Sequence, residues 1–260
     1  MKIDNNIVNI LGGGYSVSEV KFMDQTVWKY TPPFDDVIGG PGNRKLLKGT
    51  MEAGWFGEVP ASDFITGDEL ARLIGLNAGT SQYSDEPWLK FGYEGEIYFW
   101  AKKPFRYGLS HDQLNAVNAV YGDRVETIRG KKYAIMLPRG TGKDVQSDPK
   151  RMIRGYDGVV NHNSMWNKLM LPIHKNAPSN WGDSSNVKSP TENWGVGYTD
   201  ADLITHYNNG NGSLNWCQET VYNTSYRLYR GYRGVAYSRW NNLNNTGSYS
   251  GWRPVLKLIG

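Results

Sequence analysis

The 260-residue chain holds one cysteine, Cys217. That excludes an intrachain disulfide, a cysteine zinc cluster and any redox chemistry needing two thiols. Charge of one sign is never concentrated: the net charge of +4 is spread along the chain. Neither nucleic-acid binding nor membrane binding by a basic patch is expected. No apolar run reaches the length of a membrane span, and residues 1–14 carry one lysine and a short apolar run broken by Asn and Gly, unlike a secretion leader. The expectation is synthesis in a cytoplasm without membrane insertion.

Catalytic signatures are missing too. Gly140-Thr141-Gly142-Lys143 imitates a phosphate loop, but Leu137 stands where the first glycine belongs and Asp144 where Ser or Thr should follow the lysine. The four histidines, His111, His162, His174 and His206, have no spacing suited to metal ligation on a helix. His174, in Leu171-Pro172-Ile173-His174, reads as a buried structural residue. No Gly-x-Ser-x-Gly elbow occurs, and Asp200 and Asp202 read as caps of a helical turn after Thr199 rather than as a hydrolytic pair. No catalytic residue, metal site or cofactor is expected.

What is present is aromatic and glycine-rich. Ten Trp, seventeen Tyr and 31 Gly within an apolar fraction of only 39% mean that rings supply much of the burial and turns are frequent, so strands and loops should outweigh helices. Residues 1–31 read as a small β unit, with short β-rich runs around Met23-Asp24-Gln25-Thr26 forming a hairpin. Residues 32–43 read as a linker, stiff at Pro32-Pro33 and flexible at Gly39-Gly40-Pro41-Gly42. The main domain, residues 44–260, starts with a strand-like run over 46–59. A helix capped within Pro60-Ala61-Ser62-Asp63 should run to Ile74. Hairpins are expected at 88–102 and 125–137. Between them, Ser110 and Gln113 form a capping box for a helix lined by Leu114, Val117, Val120 and Tyr121 and ended by Gly122. Ser164 opens a short helix stopped by Pro172.

The chain closes on Gly251-Trp252-Arg253-Pro254-Val255-Leu256-Lys257-Leu258-Ile259-Gly260. So apolar a strand needs a partner, and the run over 46–59 is the expected one. Ahead of it, residues 207–250 set Tyr222, Tyr226, Tyr229, Tyr232, Tyr237, Trp240 and Tyr249 among Asn, Ser and Gly, with Arg227, Arg230, Arg233 and Arg239. Rings offer contact area at low entropic cost and small polar residues adapt, which is the chemistry of binding loops; part of the same ring set could instead form core. The candidate binding residues are therefore Tyr222, Tyr226, Tyr229, Arg230, Tyr232, Arg233, Tyr237, Arg239, Trp240 and Tyr249. Trp252 and Arg253 are candidates for structural closure.

Several short runs, in order, are similar to a known family. They are Ala61-Ser62-Asp63-Phe64-Ile65-Thr66-Gly67-Asp68-Glu69-Leu70, Met165-Trp166-Asn167-Lys168-Leu169-Met170, Asn193-Trp194-Gly195-Val196-Gly197-Tyr198-Thr199-Asp200, Arg230-Gly231-Tyr232-Arg233-Gly234-Val235 and, most specific, Gly251-Trp252-Arg253-Pro254-Val255-Leu256. Over 44–260 the chain resembles tailed-bacteriophage virion proteins that carry a C-type-lectin-like domain of the formylglycine-generating-enzyme type. Residues 16–30, with Val27-Trp28-Lys29, are similar to a hairpin preceding such domains. The resemblance implies an α+β fold with short helices, twisted antiparallel strands and long irregular loops, in which first and last strands pair. It implies a non-enzymatic virion protein whose partners are other virion proteins and a host-surface glycan or protein. A tail-fibre, receptor-binding role, capsid decoration and a tail or collar joint all stay open, as do a cell-surface glycan hydrolase and a homo-oligomer. The copper ligands of the oxidase members need more than one cysteine. The calcium strings of the sugar-binding members (Glu-Pro-Asn, Gln-Pro-Asp, Trp-Asn-Asp) are absent, Trp240-Asn241-Asn242 being a partial echo.

Overall fold

The computed structural model describes residues 19–22, 25–29, 39–140, 152–153, 164–175, 192–205, 210–221, 224–232 and 234–259, with backbone alone at 19–29, 152–153 and 221. The chain divides into two units, Met1–Ile38 and Gly39–Gly260. In the first, β1 (Glu19–Phe22) pairs antiparallel with β2 (Gln25–Lys29), with a register shift between Val20 and Lys21.

The second unit is mixed α+β and dominated by strands, with few short helices. Its elements are β3 (Lys48–Gly49), β4 (Ala53–Val59), α1 (Gly67–Leu73), β5 (Thr80–Ser81), β6 (Trp88–Tyr93), β7 (Glu96–Ala101), β8 (Arg106–Tyr107), α2 (His111–Ala116), β9 (Tyr121–Ile128), β10 (Lys131–Met136), β11 (Met152–Ile153), α3 (Met165–Met170), α4 (Asp200–Leu203), β12 (Leu214–Val221), β13 (Tyr226–Arg230), β14 (Ser238–Asn242), β15 (Ser250–Trp252) and β16 (Val255–Ile259). One curled antiparallel sheet has the order β3-β4-β6-β7-β16-β10-β9. A second has the order β14-β13-β12-β15-β8-β5, with β11 joining β12 in parallel.

Local chemistry explains the short elements. The hairpin β6–β7 turns at Glu94 and Gly95, both with positive φ, and β9–β10 turns at Arg129 and Gly130 in the same way. Two consecutive positive φ values give the twist that lets a two-residue turn match its strands. The α2 cap forms as its spacing predicts: Ser110 Oγ accepts from the Gln113 N–H at 3.2 Å, and Gln113 Oε1 accepts from the Ser110 N–H at 2.9 Å. Ser164 caps α3 in the simpler way, accepting from the Asn167 N–H.

Both faces of the first sheet are covered. Leu89, Phe91 and Trp100 point, with Val255, into a cluster completed by Met165, Trp166, Leu169 and Met170 of α3. Trp88, Phe99, Ile135 and Leu256 point the other way, against Leu70 and Ala71 of α1 and Leu114 of α2. Every residue of β6, Lys90 included, is consequently buried, and neither face of the strand meets solvent.

Several expectations need correction. The closing strand β16 does not pair with the 46–59 run. It lies between β7 and β10, Leu256 facing Phe99 on one side and Ile135 on the other, and β6 and β7 separate it from β4. α1 is capped by Thr66, not within 60–63: Thr66 Oγ1 accepts from the Glu69 N–H, and Glu69 Oε2 accepts from the Thr66 N–H. Residues Ala61–Asp63 form a separate turn of 3-10 helix. α2 ends at Ala116, because Asn118 takes a left-handed φ of 59°, and Gly122 belongs to β9. Residues 39–43, read as flexible linker, pack onto the domain: Lys90 Nζ, almost wholly buried, donates to the carbonyls of Pro41 and Asn43 at 2.9 and 2.8 Å.

The 207–250 stretch is not a set of long loops. It carries β12, β13 and β14, a three-stranded meander inside the second sheet. The hairpin segment 23–24, most of the 141–163 loop and residues 206–209 lie outside the described residues.

Candidate functional site

The meander fixes which side chains share a face. Tyr229 of β13 stands opposite Trp216 of β12 and Arg239 of β14, and Arg227 stands opposite Asn241. Alternate residues of a strand point the same way, so Arg227, Tyr229, Arg239 and Asn241 lie on one face. Leu228, Arg230 and Ser238 lie on the other, and all three are buried. β15 runs parallel to β12, and the Leu214 N–H donates to the Tyr249 carbonyl at 2.7 Å, which places Tyr249 beside Leu214. Tyr232 follows β13, its ring 5.5 Å from that of Tyr237.

At this edge of the meander is a groove of about 310 Å³, lined by Tyr229, Tyr232, Tyr249, Arg239 and Asn241 with Leu214, and by Trp240, which stands opposite Leu228 and so belongs to the other face of β14. Its inner wall is the margin of the core: Leu214, Trp216, Tyr229 and Tyr237 belong to the cluster under α1 and α2, and Tyr232 and Tyr249 pack against it. Arg239 is exposed, whereas Trp240, Asn241, Tyr232 and Tyr249 are half-buried. A ligand would thus meet rings already braced from behind, which lowers the entropic cost of contact. A second depression, near 390 Å³, is walled by residues 83–87 alone. A single turn of chain brings no convergent groups, so it makes the weaker candidate.

Of the residues expected to bind, the groove gathers Tyr229, Tyr232, Arg239, Trp240 and Tyr249. Tyr226 is exposed elsewhere on β13, and Tyr237 is buried behind the groove. Arg230 is scaffold: fully buried, it donates from Nη2 to Asn167 Oδ1 at 2.7 Å and from Nε to the Tyr237 carbonyl at 3.1 Å. Its guanidinium sits 5.3 Å from the Trp166 ring, and burial pushes its pKa down to about 10. Tyr222 and Arg233 lie outside the described residues. Leu214 and Asn241 line the groove without having been singled out. Only the β13–β14 register, which sets Asn241 against Arg227, could have pointed to the second.

Trp252 and Arg253 are wholly buried. Arg253 donates from Nε to the Ala101 carbonyl at 2.7 Å and from Nη2 to the Lys102 carbonyl, with its guanidinium 5.4 Å from the Trp166 ring. Desolvation brings its pKa down to about 9.

Among the described residues, Cys217, His111, His174, Asp200 and Asp202 are tied into the scaffold; His162 and His206 lie outside them. Burial raises the Cys217 thiol well above its ordinary pKa, so a nucleophilic thiolate is disfavoured. Burial also holds His111 near 3 and therefore neutral, with its ring 6.1 Å from Trp216. Asp200 Oδ1 accepts from the Val235 N–H at 2.7 Å and lies 3.6 Å from His174 Nε2. Asp202 accepts from both the N–H and the hydroxyl of Thr199, which holds its carboxyl below the usual range. Among the described residues no group of three His, Cys, Asp or Glu side chains is placed to hold a metal, and no helix is long and apolar enough to cross a membrane.

Compared with models of protein families, with curated proteins and with solved structures, the chain matches none.

Proposed function

We propose that this chain is a non-enzymatic structural protein of a tailed-phage particle, displaying a C-type-lectin-like domain whose aromatic groove binds carbohydrate on the host surface. The observation carrying the reading is the groove itself. Five residues expected to bind on composition alone converge on one cavity, with the polar side chain of Asn241 beside them. Rings that present flat apolar faces next to hydrogen-bonding groups suit the alternating C–H and O–H surface of a sugar. A volume near 310 Å³ is at the small end for ligand pockets, enough for one or two sugar rings.

The fold assignment draws on the strand-dominated α+β architecture with short helices, and on the closing segment, where Trp252 and Arg253 are buried as a structural seal. Other virion proteins would be the assembly partners, with residues 1–31 as the docking unit, and the particle as the protein's place of action.

Trp240→Ala is the test. It removes a half-buried ring at the groove without touching the core clusters. Loss of a central aromatic contact should weaken attachment to host cells about tenfold or more, while the thermal melt is nearly unchanged and particles still assemble. Unchanged attachment refutes the reading. Loss of the protein from purified particles would point instead to decoration or a joint, and release of reducing sugar would point to a hydrolase.

A further inference from the structure

We infer that the outer edge of β9 is the seat of a second copy of this chain, the two β9 strands pairing antiparallel about Val125 so that the first sheet runs on from one protomer into the other. This contact is separate from the groove, whose strand residues belong to the second sheet.

β9 ends the order β3-β4-β6-β7-β16-β10-β9, and among the described residues nothing pairs with its outer side. An edge strand offers unpaired N–H and C=O groups, and monomeric proteins blunt such edges by shortness, Pro, Lys or bulges. The opposite end of this sheet is blunted, since β3 has two residues and one is Lys48. The ends of the second sheet are β5, also of two residues, and β14, of five. β9 has eight residues with neither Pro nor Lys, and its register shift lies between Tyr121 and Arg124, ahead of the regular run over 124–128. Two of the six exposed large apolar side chains among the described residues stand here. They are Val125, 44% exposed, and Leu73, whose carbonyl accepts from Arg124 Nη2 at 3.4 Å.

The ladder decides which residues face outward. Ile128 and Lys131 flank a two-residue turn, so they form a hydrogen-bonded pair, and such pairs alternate along an antiparallel ladder. Arg124, Glu126 and Ile128 therefore direct their N–H and C=O groups to β10, while Val125 and Thr127 turn theirs outward. Two copies related by a two-fold axis through Val125 exchange both Val125 bonds and set Arg124 of each against Glu126 of the other. Arg124 and Glu126 lie with Ile128 on the side of α1, and within one chain Arg124 Nε already meets Glu126 Oε1 at 2.5 Å. Pairing closes these four charges into an alternating ring. Moving the axis by one residue, to Arg124 or to Glu126, sets like charges directly opposite and disfavours those registers. On the other face Val125 meets its own copy, which takes exposed apolar side chain out of water. A strand of another sequence could use the same backbone edge, but Arg124-Val125-Glu126 is its own antiparallel complement in charge, and that commits the edge to a second copy.

The test is sedimentation velocity on the full chain, from about 2 to about 200 μM, with wild type, Arg124→Glu, Glu126→Arg and an equimolar mixture of the two variants. Wild type should shift from monomer toward dimer across that range. Each variant alone sets like charges opposite one another on both sides of the axis and should weaken association by about tenfold or more. The mixture opposes an acidic strand to a basic one and should form a dimer at least as tight as wild type, a rescue that misfolding cannot imitate. Val125→Cys should also cross-link to its own copy under mild oxidation, because hydrogen-bonded partners stand about 5.5 Å apart at Cα. Thr127→Cys, opposite Asp123 rather than itself, should not, and buried Cys217 gives no background. A wild type that is still monomeric at the highest concentration overturns the inference. So does a dimer that both charge variants leave intact, which places the contact elsewhere, and so does a mixture that stays monomeric.

Discussion

Replacing Leu256 by alanine tests the architecture most directly. The side chain is fully buried near the start of β16, with Phe99 and Ile135, also fully buried, as its neighbours on β7 and β10. Deleting three carbons forfeits roughly 2.5 kcal/mol of transfer energy. Strands pinned on both sides cannot collapse into the space, so the cavity adds to this, and the total should approach 4 kcal/mol. For a domain of this size that lowers the melting temperature by about 8–16 °C. Ile259→Ala, at the exposed end of the same strand, should cost under about 1 kcal/mol. Urea unfolding followed by tryptophan fluorescence reads both. A double-mutant cycle then separates the observed pairing from the one expected of the sequence. Leu256→Ala with Ile135→Val should couple by about 0.5–3 kcal/mol. Leu256→Ala with Val59→Ala, three strands and so roughly 14 Å away, should be additive. Coupling to Val59 with none to Ile135 would refute the strand order.

Three further outcomes follow from buried charge and from capping. Arg253→Lys should cost about 2–4 kcal/mol, since one ammonium cannot bond the Ala101 and Lys102 carbonyls and also stack on Trp166; a melt within 2 °C of wild type, on the order of half a kcal/mol, would contradict this. Burial lowers the Lys90 pKa to about 8 from 10.5. The folded state therefore releases this proton near pH 8, whereas the unfolded state holds it until near 10.5, and the Lys90 contribution to stability rises with pH across that window. The stability of wild type relative to Lys90→Met, measured by urea titration, should thus improve between pH 7 and pH 9.5; parallel curves would dispose of the idea. Ser110→Ala removes the side-chain half of the α2 capping box and should cost about 1 kcal/mol, while Asp63→Ala should cost almost nothing, because Thr66 and not Asp63 caps α1.

What the sequence discloses about this fold is what is decided locally. The α2 capping box needs only Ser110 and Gln113 in register, and the turn of β9–β10 needs only Arg129-Gly130, so both could be read from a few residues. The position of β16 could not. Val255, Leu256 and Leu258 say that the strand is buried, but a strand covered on both faces carries no alternation to indicate its neighbours. β12 was missed for a different reason. Asn215, Gln218 and Glu219 look like loop residues, yet all three are buried. They are accommodated because Asn215 Nδ2 donates to the Arg230 carbonyl at 2.9 Å, Gln218 Nε2 donates to the Leu137 carbonyl at 2.7 Å, and Glu219 accepts from Gly140. Long-range partners of that kind leave no trace in spacing. The candidate site was half legible for the same reason: composition marks 207–250 as aromatic and basic, but only the β13–β14 register sorts Arg239 from Arg230.

On the proposed reading, that sorting lets one short stretch be both scaffold and binding surface. Along β13 the inward positions, Leu228 and Arg230, are fully buried, and Arg230 fastens the strand to Trp166 and Asn167 of α3. Arg253 approaches the same Trp166 ring from the closing segment. The two guanidiniums and one indole thereby add three charge-assisted or ring contacts to the packing of Leu228 in the cluster under α3. On the other face Tyr229 joins the core cluster under α1 and α2. Arg239 and Asn241 lie on β14, an edge strand, where a side chain can change with little consequence for the core. The closing segment and β13 are linked through the Trp166 ring, which both Arg253 and Arg230 meet; on the proposed reading, that brace keeps the groove rings ordered before a ligand arrives.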